Sequence, residues 1–263
     1  MRFLITNDDG FDAPGLQALW QALIPLGLVE VVAPAICHSS RGHAVDTKNP
    51  IRVEQRVVDP FGGIRIVHSS PADCIRVGLR HVLAQNPPDC VVAGINPGAN
   101  LGVDLFYSGT VAAAREAALL GVPAIALSRL IHDDFPINWA ILSQHVGKVV
   151  KLLLRPEYRL PEGHFWNVNF PTMAGECYPE EVLFVPHGTE AHAVQFQVLE
   201  TSPDLELLGY SASYRDRPRL VGSDVYELFS QRITVTPVGP SLTYFGSAHL
   251  QSMVSLGSAA SPD

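Results

Sequence analysis

Residues 90–95 read Cys-Val-Val-Ala-Gly-Ile, a near-continuous apolar run of strand length. A strand written without polar alternation is covered on both faces, the pattern of a parallel sheet between two layers of helices. It runs into Asn96 and the glycine-rich turn Pro97-Gly98-Ala99-Asn100-Leu101-Gly102. The alanine-rich stretch Thr110 to Leu120 then predicts a helix closed by Gly121, and Ala124 to Leu127 predicts the next strand.

The same alternation extends outward. Phe3 to Thr6 is a short apolar strand, followed by a helix from about Pro14 to Leu26 with proline in its first turn and Gly27 after its end. Leu28 to Ala33 is a second strand, stopped by Pro34, and Ile64 to His68 a third. Ser70-Pro71-Ala72-Asp73 supplies a cap, a proline and a carboxylate for the first turn of a helix reaching about Ala84. Ile137 to Leu154 is helical in pattern, and Trp166 to Val168 reads as a strand. Beyond about residue 170, the runs Glu181–Val185, Gln195–Leu199 and Ile233–Val238 predict hairpins and antiparallel additions. The fold class is therefore α/β: a parallel-sheet core over residues 1–130, with an extension over residues 131–263 that completes the sheet within a single domain.

Composition narrows the function. Of 263 residues, 47% are hydrophobic and 17% charged, enough to bury a core. A net charge of −8, with no block of lysine or arginine, argues against a nucleic-acid polymer as partner. Cys37, Cys74, Cys90 and Cys177 lie far apart and read as reduced thiols. The N-terminal apolar run is too short for a signal peptide, and the uncharged tail from Ile233 to Pro262 is broken by proline and glycine, so no membrane span is expected. The expectation is a cytoplasmic protein.

Ligands of open α/β sheets bind beyond the carboxyl ends of the strands. The first strand ends in Asn7-Asp8-Asp9-Gly10, the second in a loop with His38, Ser39, Ser40 and His43, and the run at 90–95 in Asn96 and Asn100. Adjacent aspartates repel unless a cation neutralises them. Carboxylate, amide and hydroxyl oxygens suit Mg²⁺, Mn²⁺ or Ca²⁺ rather than zinc. A solvated turn with capping aspartates is the plainer reading of Asp8-Asp9, and their position at a strand end weighs against it. For Asn96 and Asn100 taken alone, a hydrogen-bonded glycine turn is favoured. Ser108-Gly109-Thr110 opens the alanine-rich helix, as either an ordinary N-cap or an anion site. A metal rim beside an anion-binding helix start spells phosphate. The sequence has no P-loop, no G-x-G-x-x-G after the first strand, no H-E-x-x-H and no G-x-S-x-G.

The opening Met1-Arg2-Phe3-Leu4-Ile5-Thr6-Asn7-Asp8-Asp9-Gly10, with Ala13-Pro14-Gly15, resembles the survival protein SurE family of metal-dependent nucleoside 5′/3′-monophosphate phosphatases. The likeness continues through Val31 to Pro34, Ser39, Gly42-His43 and Pro71-Ala72-Asp73-Cys74. It is densest over Gly94 to Gly102 and Tyr107 to Glu116, then thins to Asn167-Val168-Asn169 and Ile233 to Pro237. The resemblance implies a Rossmann-like three-layer core and one divalent ion per subunit, Mg²⁺ or Mn²⁺, bound by Asp8, Asp9, Ser39 and Asn96. It implies that Asn100, Ser108, Gly109 and Thr110 hold the phosphate. Asp8 and Asp9 are the catalytic pair, one ligating directly and the other orienting or deprotonating the attacking water; His43 is a candidate substrate-loop residue. It further implies a homodimer or homotetramer built through exchanged C-terminal segments. Two stretches depart from the family pattern: Ala35-Ile36-Cys37-His38 after the second strand, and Val238 to Thr243 near the C-terminus. The function expected is 5′-nucleotidase. The alternatives are a non-catalytic nucleotide- or metal-binding module, a phosphatase for another phosphomonoester, and an aspartyl-phosphate mechanism.

Overall fold

In the computed structural model, which describes residues 1–173, 177–192, 194–211 and 213–240, the first strand is already central. Strand β1 (Arg2–Thr6) pairs in parallel with β2 (Leu28–Pro34) on one side and β5 (Cys90–Pro97) on the other. Beyond β2 lie β4 (Gly62–Val67) and the edge strand β3 (Val53–Val58). Beyond β5 come β6 (Ala124–Arg129), β7 (Phe165–Phe170), β11 (Ile233–Val238) and β8 (Val182–Phe184), completing a nine-stranded sheet. The stretch β4-β2-β1-β5-β6-β7 is parallel throughout. In chain order these strands are the third, second, first, fourth, fifth and sixth, the Rossmann-like doubly wound arrangement. Its order reverses between β1 and β5, which opens a crevice at their carboxyl ends.

Side chains alternate across β1 as a pleated strand requires. Phe3 and Ile5 pack with Leu16 and Leu19 of α1 (Pro14–Leu23) and with Leu142 and Val146 of α4 (Trp139–Leu153). Leu4 packs on the opposite face, with Cys74 and Ile75 of α2 (Pro71–Val77) and Val111 and Ala114 of α3 (Gly109–Leu119). The alanine-rich face of α3 lets it lie close on β5 and β6. This is the three-layer core read from the sequence.

The differences lie at the edges. The parallel pattern ends at β3, which is antiparallel to β4 and whose exposed Val-Glu-Gln-Arg run carries no apolar signal. Glu181–Val185 does not form a hairpin: β8 lies parallel to β11, while β11 is antiparallel to β7. The expected hairpin exists as β9 (Phe196–Ser202) and β10 (Leu205–Tyr210), a pair separate from the main sheet. A short helix α5 (Asp224–Phe229), capped by Ser223, carries too few residues for a periodic signal. No helix among the described residues is long and apolar enough to cross a membrane, and the four cysteines are free thiols. The divergent residues from Ser241 onward, with the rest of the uncharged tail, lie outside the described residues.

One glycine sets the direction of β5. Gly94 has φ +131°, and a Cβ there would sit 2.3 Å from the Leu127 carbonyl oxygen. The register against β6 shifts between Ala93 and Asn96, a bulge that re-aims the strand end carrying Asn96. Gly94→Ala should therefore cost at least ~3 kcal/mol, from overpacking plus a disfavoured φ. Urea unfolding measures it; an unchanged midpoint would remove this constraint from β5.

Candidate active site at the sheet's switch point

The turn after β1 is fixed before any ligand is considered. Asn7 Nδ2 donates to the Gly10 carbonyl at 2.8 Å. Phe11 N–H donates to the Pro34 carbonyl at 3.0 Å and His38 N–H to the Asp8 carbonyl at 2.7 Å, which lays the loop after β2 against this turn. Asp8 is buried, and its Oδ1 accepts a hydrogen bond from the Thr110 hydroxyl. Gly109 is dictated by the same contact, since a Cβ there would lie 2.7 Å from Asp8 Cβ and 2.8 Å from its Oδ2. The first turn of α3 thus rests directly on the Asp8 carboxylate.

Burial pushes the Asp8 carboxyl up, against the opposing pull of its bonds from Thr110. Asp9 is pushed up to about 7, first by burial and then by the charge of Asp8 beside it. Asp9 Oδ2 and Asn7 Oδ1 are buried with no hydrogen-bond partner. Two neighbouring carboxylates held out of water, one with an orphaned oxygen, form an acceptor-rich site short of positive charge. A divalent cation fits that deficit. Among the described residues no three His, Cys, Asp or Glu side chains converge, so the donors available here are aspartate, amide and hydroxyl oxygens, which suit a hard ion.

The other residues anticipated for the site fall around this centre. Asn96 Nδ2 is spent on the Gly98 carbonyl at 2.7 Å, which leaves its Oδ1 as the atom able to coordinate. Ser39 is exposed on the loop held by His38, its Oγ 3.0 Å from Cys37 Sγ. Asn100 is buried and turns its Nδ2 to Ser128 Oγ at 2.7 Å. Ser108 Oγ accepts from Val111 N–H at 3.1 Å, so the N-cap reading describes its oxygen, while Thr110 serves Asp8. His43 is set back from the aspartates: its Nε2 lies 2.7 Å from Glu116 Oε2, and Arg76 Nε donates to Oε1 of the same carboxylate at 2.6 Å. Burial raises the Glu116 carboxyl, but the bonds from His43 and Arg76 outweigh it and hold it below the ordinary range. His43 therefore anchors its loop to α3.

Sequence reasoning passed over the residues that hold the loop between β5 and α3. Asn169 Oδ1 accepts from Asn100 N–H at 2.8 Å, and the Asn100 carbonyl accepts from Asn167 Nδ2 at 2.9 Å and Asn169 Nδ2 at 3.0 Å. Two fully buried asparagines on one face of β7 were the available signal. Further along, Arg217 makes a two-pronged pair with Asp104 at 2.6 and 2.8 Å, and Tyr214 donates to the Ala99 carbonyl at 2.9 Å. Asp224 accepts from Gly102 N–H at 2.9 Å.

A doubly wound sheet whose switch point sets the buried Asp8 and the half-buried Asp9 against a helix N-terminus defines a Rossmann-like α/β protein. The chain belongs to the survival protein SurE family, whose family model matches residues 3–193. A relative from Synechocystis sp. is 42% identical over 90% of this chain and 98% of its own. The 5′-nucleotidase SurE of Myxococcus xanthus is 38% identical, covering 93% of this chain and 90% of that protein. The crystal structure of the SurE protein from Aquifex aeolicus matches with TM-score 0.77 at 31% identity, over 92% of this chain and 95% of that chain.

The raised Asp9 pKa has a testable sign. A carboxyl held above its unfolded value favours folding below about pH 4 and loses that advantage as pH rises through 7. In chelator at pH 8, Asp9→Asn should be more stable than the parent by on the order of 1 kcal/mol, or about 2–4 °C in Tm, and the gap should close toward pH 4. A gap independent of pH would show that the pair is not under charge strain.

Proposed function

We propose that this chain is a 5′-nucleotidase that hydrolyses nucleoside 5′-monophosphates to nucleoside and phosphate, with 3′-monophosphates as secondary substrates and one Mg²⁺ or Mn²⁺ per subunit. The observation that carries this reading is the Asp8–Asp9 pair, with Asp8 buried against the N-terminus of α3 and Asp9 Oδ2 buried without a partner. Asp8, Asp9, Asn96 Oδ1 and Ser39 would hold the ion. When bound, the ion supplies positive charge to the phosphoryl oxygens and acidifies water.

The chain's own groups do the rest. The first turn of α3, opened by Ser108 and Gly109, would offer the anion the positive end of the helix dipole, while Val111 N–H is held by Ser108 Oγ and Thr110 by Asp8. Asn100 holds the approach loop in place through its bonds to Ser128, Asn167 and Asn169. Asp8 is fixed on one side by Thr110 and on the other by the contact with Gly109, so it is poorly placed to swing into line as a nucleophile. Asp9, with its unpaired Oδ2, is the group able to take the proton of the attacking water. This favours direct attack over an aspartyl phosphate.

We further propose a cytoplasmic homodimer or homotetramer. The hairpin β9–β10 leaves Phe196, Val198, Leu205, Leu207 and Tyr210 exposed, and a two-stranded hairpin is marginal alone in water. A second copy of the chain would cover these side chains.

Purified protein should release phosphate from a panel of nucleoside monophosphates with Mn²⁺ or Mg²⁺ and stop when EDTA is added. Asp8→Asn or Asp9→Asn should lower kcat/KM at least ~100-fold, or ~2.7 kcal/mol of transition-state stabilisation. Phosphate release that ignores both chelator and substitutions would move the chemistry elsewhere. For the course of the reaction, a chirally labelled phosphate ester should give inversion at phosphorus; retention, with a trapped acyl phosphate, would establish the covalent route.

A further inference from the structure

A cleft of about 660 Å³ opens between the loop that follows β2 and the start of α2. Ile36, His38, Arg41 and Val45 line one side, and Ser70 and Asp73 the other. Its size lies within the ~300–1,000 Å³ of small-molecule sites. The cleft is joined to the aspartate pair through backbone. His38 N–H donates to the Asp8 carbonyl at 2.7 Å, and Gly42 N–H donates to the Tyr107 carbonyl at 2.9 Å. One wall of the cleft therefore hangs both from the metal-side turn and from the residue preceding the α3 cap.

The opposite flank of the site is filled. Asp104, Arg217, Tyr214 and Asp224 pack the segment around residue 217 onto the loop between β5 and α3. The space left there, against Gly102 and His192, is about 10 Å³, room for one water at most. A phosphate ester held at Asp8 and α3 thus has open volume for its organic half on the β2–β4 side.

The cleft's chemistry matches a nucleoside. Ile36 and Val45 are exposed apolar side chains that suit the face of a base. Arg41 offers a planar cation for stacking or for acceptor atoms. Asp73 is 1% exposed; its Oδ2 accepts from Asp46 N–H at 2.9 Å and from the Ser69 hydroxyl at 2.6 Å, but its Oδ1 has no partner. That oxygen is enclosed beneath the cleft surface, so Asp73 shapes the floor through Asp46 and Ser69 and leaves contact with a ligand to the exposed lining.

We infer that this cleft binds the nucleoside half of the substrate, with Val45 and Ile36 against the base. The inference rests on the phosphomonoesterase reading above. Val45 makes no hydrogen bond and lies outside the metal and phosphate sets, so Val45→Trp fills the cleft without touching the chemistry. This variant should lower kcat/KM for 5′-AMP and 5′-CMP about 10-fold or more, mainly through KM, and change that for p-nitrophenyl phosphate less than about 2-fold. Calorimetric binding of 5′-AMP in chelator should weaken in parallel, while inorganic phosphate binds both proteins alike. An equal loss on both kinds of ester, or unchanged 5′-AMP binding, would overturn the assignment. So would a silent Val45→Trp beside a nucleotide-selective loss in Tyr107→Ala, which would move the nucleoside to the exposed Tyr107 side. A parent that binds 5′-AMP through this cleft yet hydrolyses no phosphomonoester would sink the nucleotidase reading and leave the cleft standing.

Discussion

The contact between the Asp8 carboxylate and the first turn of α3 is the constraint on which the rest of the site depends. Thr110 donates to Asp8 Oδ1, and Gly109 has no side chain because Asp8 occupies the space a Cβ would need. That one contact joins the end of β1 to the helix that follows β5, across the reversal of the sheet. It brings a buried negative charge to a positive helix end, a favourable pairing that offsets part of the desolvation cost. Asp9 has no such compensation. Its Oδ2 is buried with no hydrogen-bond partner, a deficit that a bound cation would relieve.

The C-terminal half serves the same contact from a distance. The loop between β5 and α3 must be held firmly if the helix is to meet Asp8, yet it is rich in glycine and has little core of its own. Asn167 and Asn169, on one face of β7, close bonds to the backbone on both sides of Asn100. Arg217 and Asp224 fasten the following turn through Asp104 and Gly102. These partners come from elements remote in sequence, so the sheet beyond residue 130 is part of the active site's scaffold as well as of the fold.

The core was legible in the sequence because its signals are local. The apolar runs at 3–6 and 90–95, the proline and glycine bounding α1, and the alanine face of α3 each report an element through their own residues. The aspartate pair was legible as well, from its place at a strand end. What escaped were features defined by distant partners. The strand β3 is polar and exposed, and its pairing with β4 is the only thing that makes it a strand. Asp104 and Arg217 are ordinary charged residues until the fold sets them 2.6 Å apart. Thr110, a phosphate ligand by resemblance, is drawn to Asp8 for a reason no spacing expresses.

The buried polar atoms divide by what surrounds them. Asn167 and Asn169 are buried to hold backbone, and most of their hydrogen-bonding capacity is used within the chain. Asp9 Oδ2 is buried and unused at the switch point, where a bound cation would complete it, and Asp73 Oδ1 is enclosed beneath the cleft. A protein of this size tolerates such deficits only where a large, well-packed core offsets them, and the two apolar layers on either side of β1 provide it. A divalent ion at the aspartate pair would relieve that deficit, whereas an anionic phosphate alone would add to it.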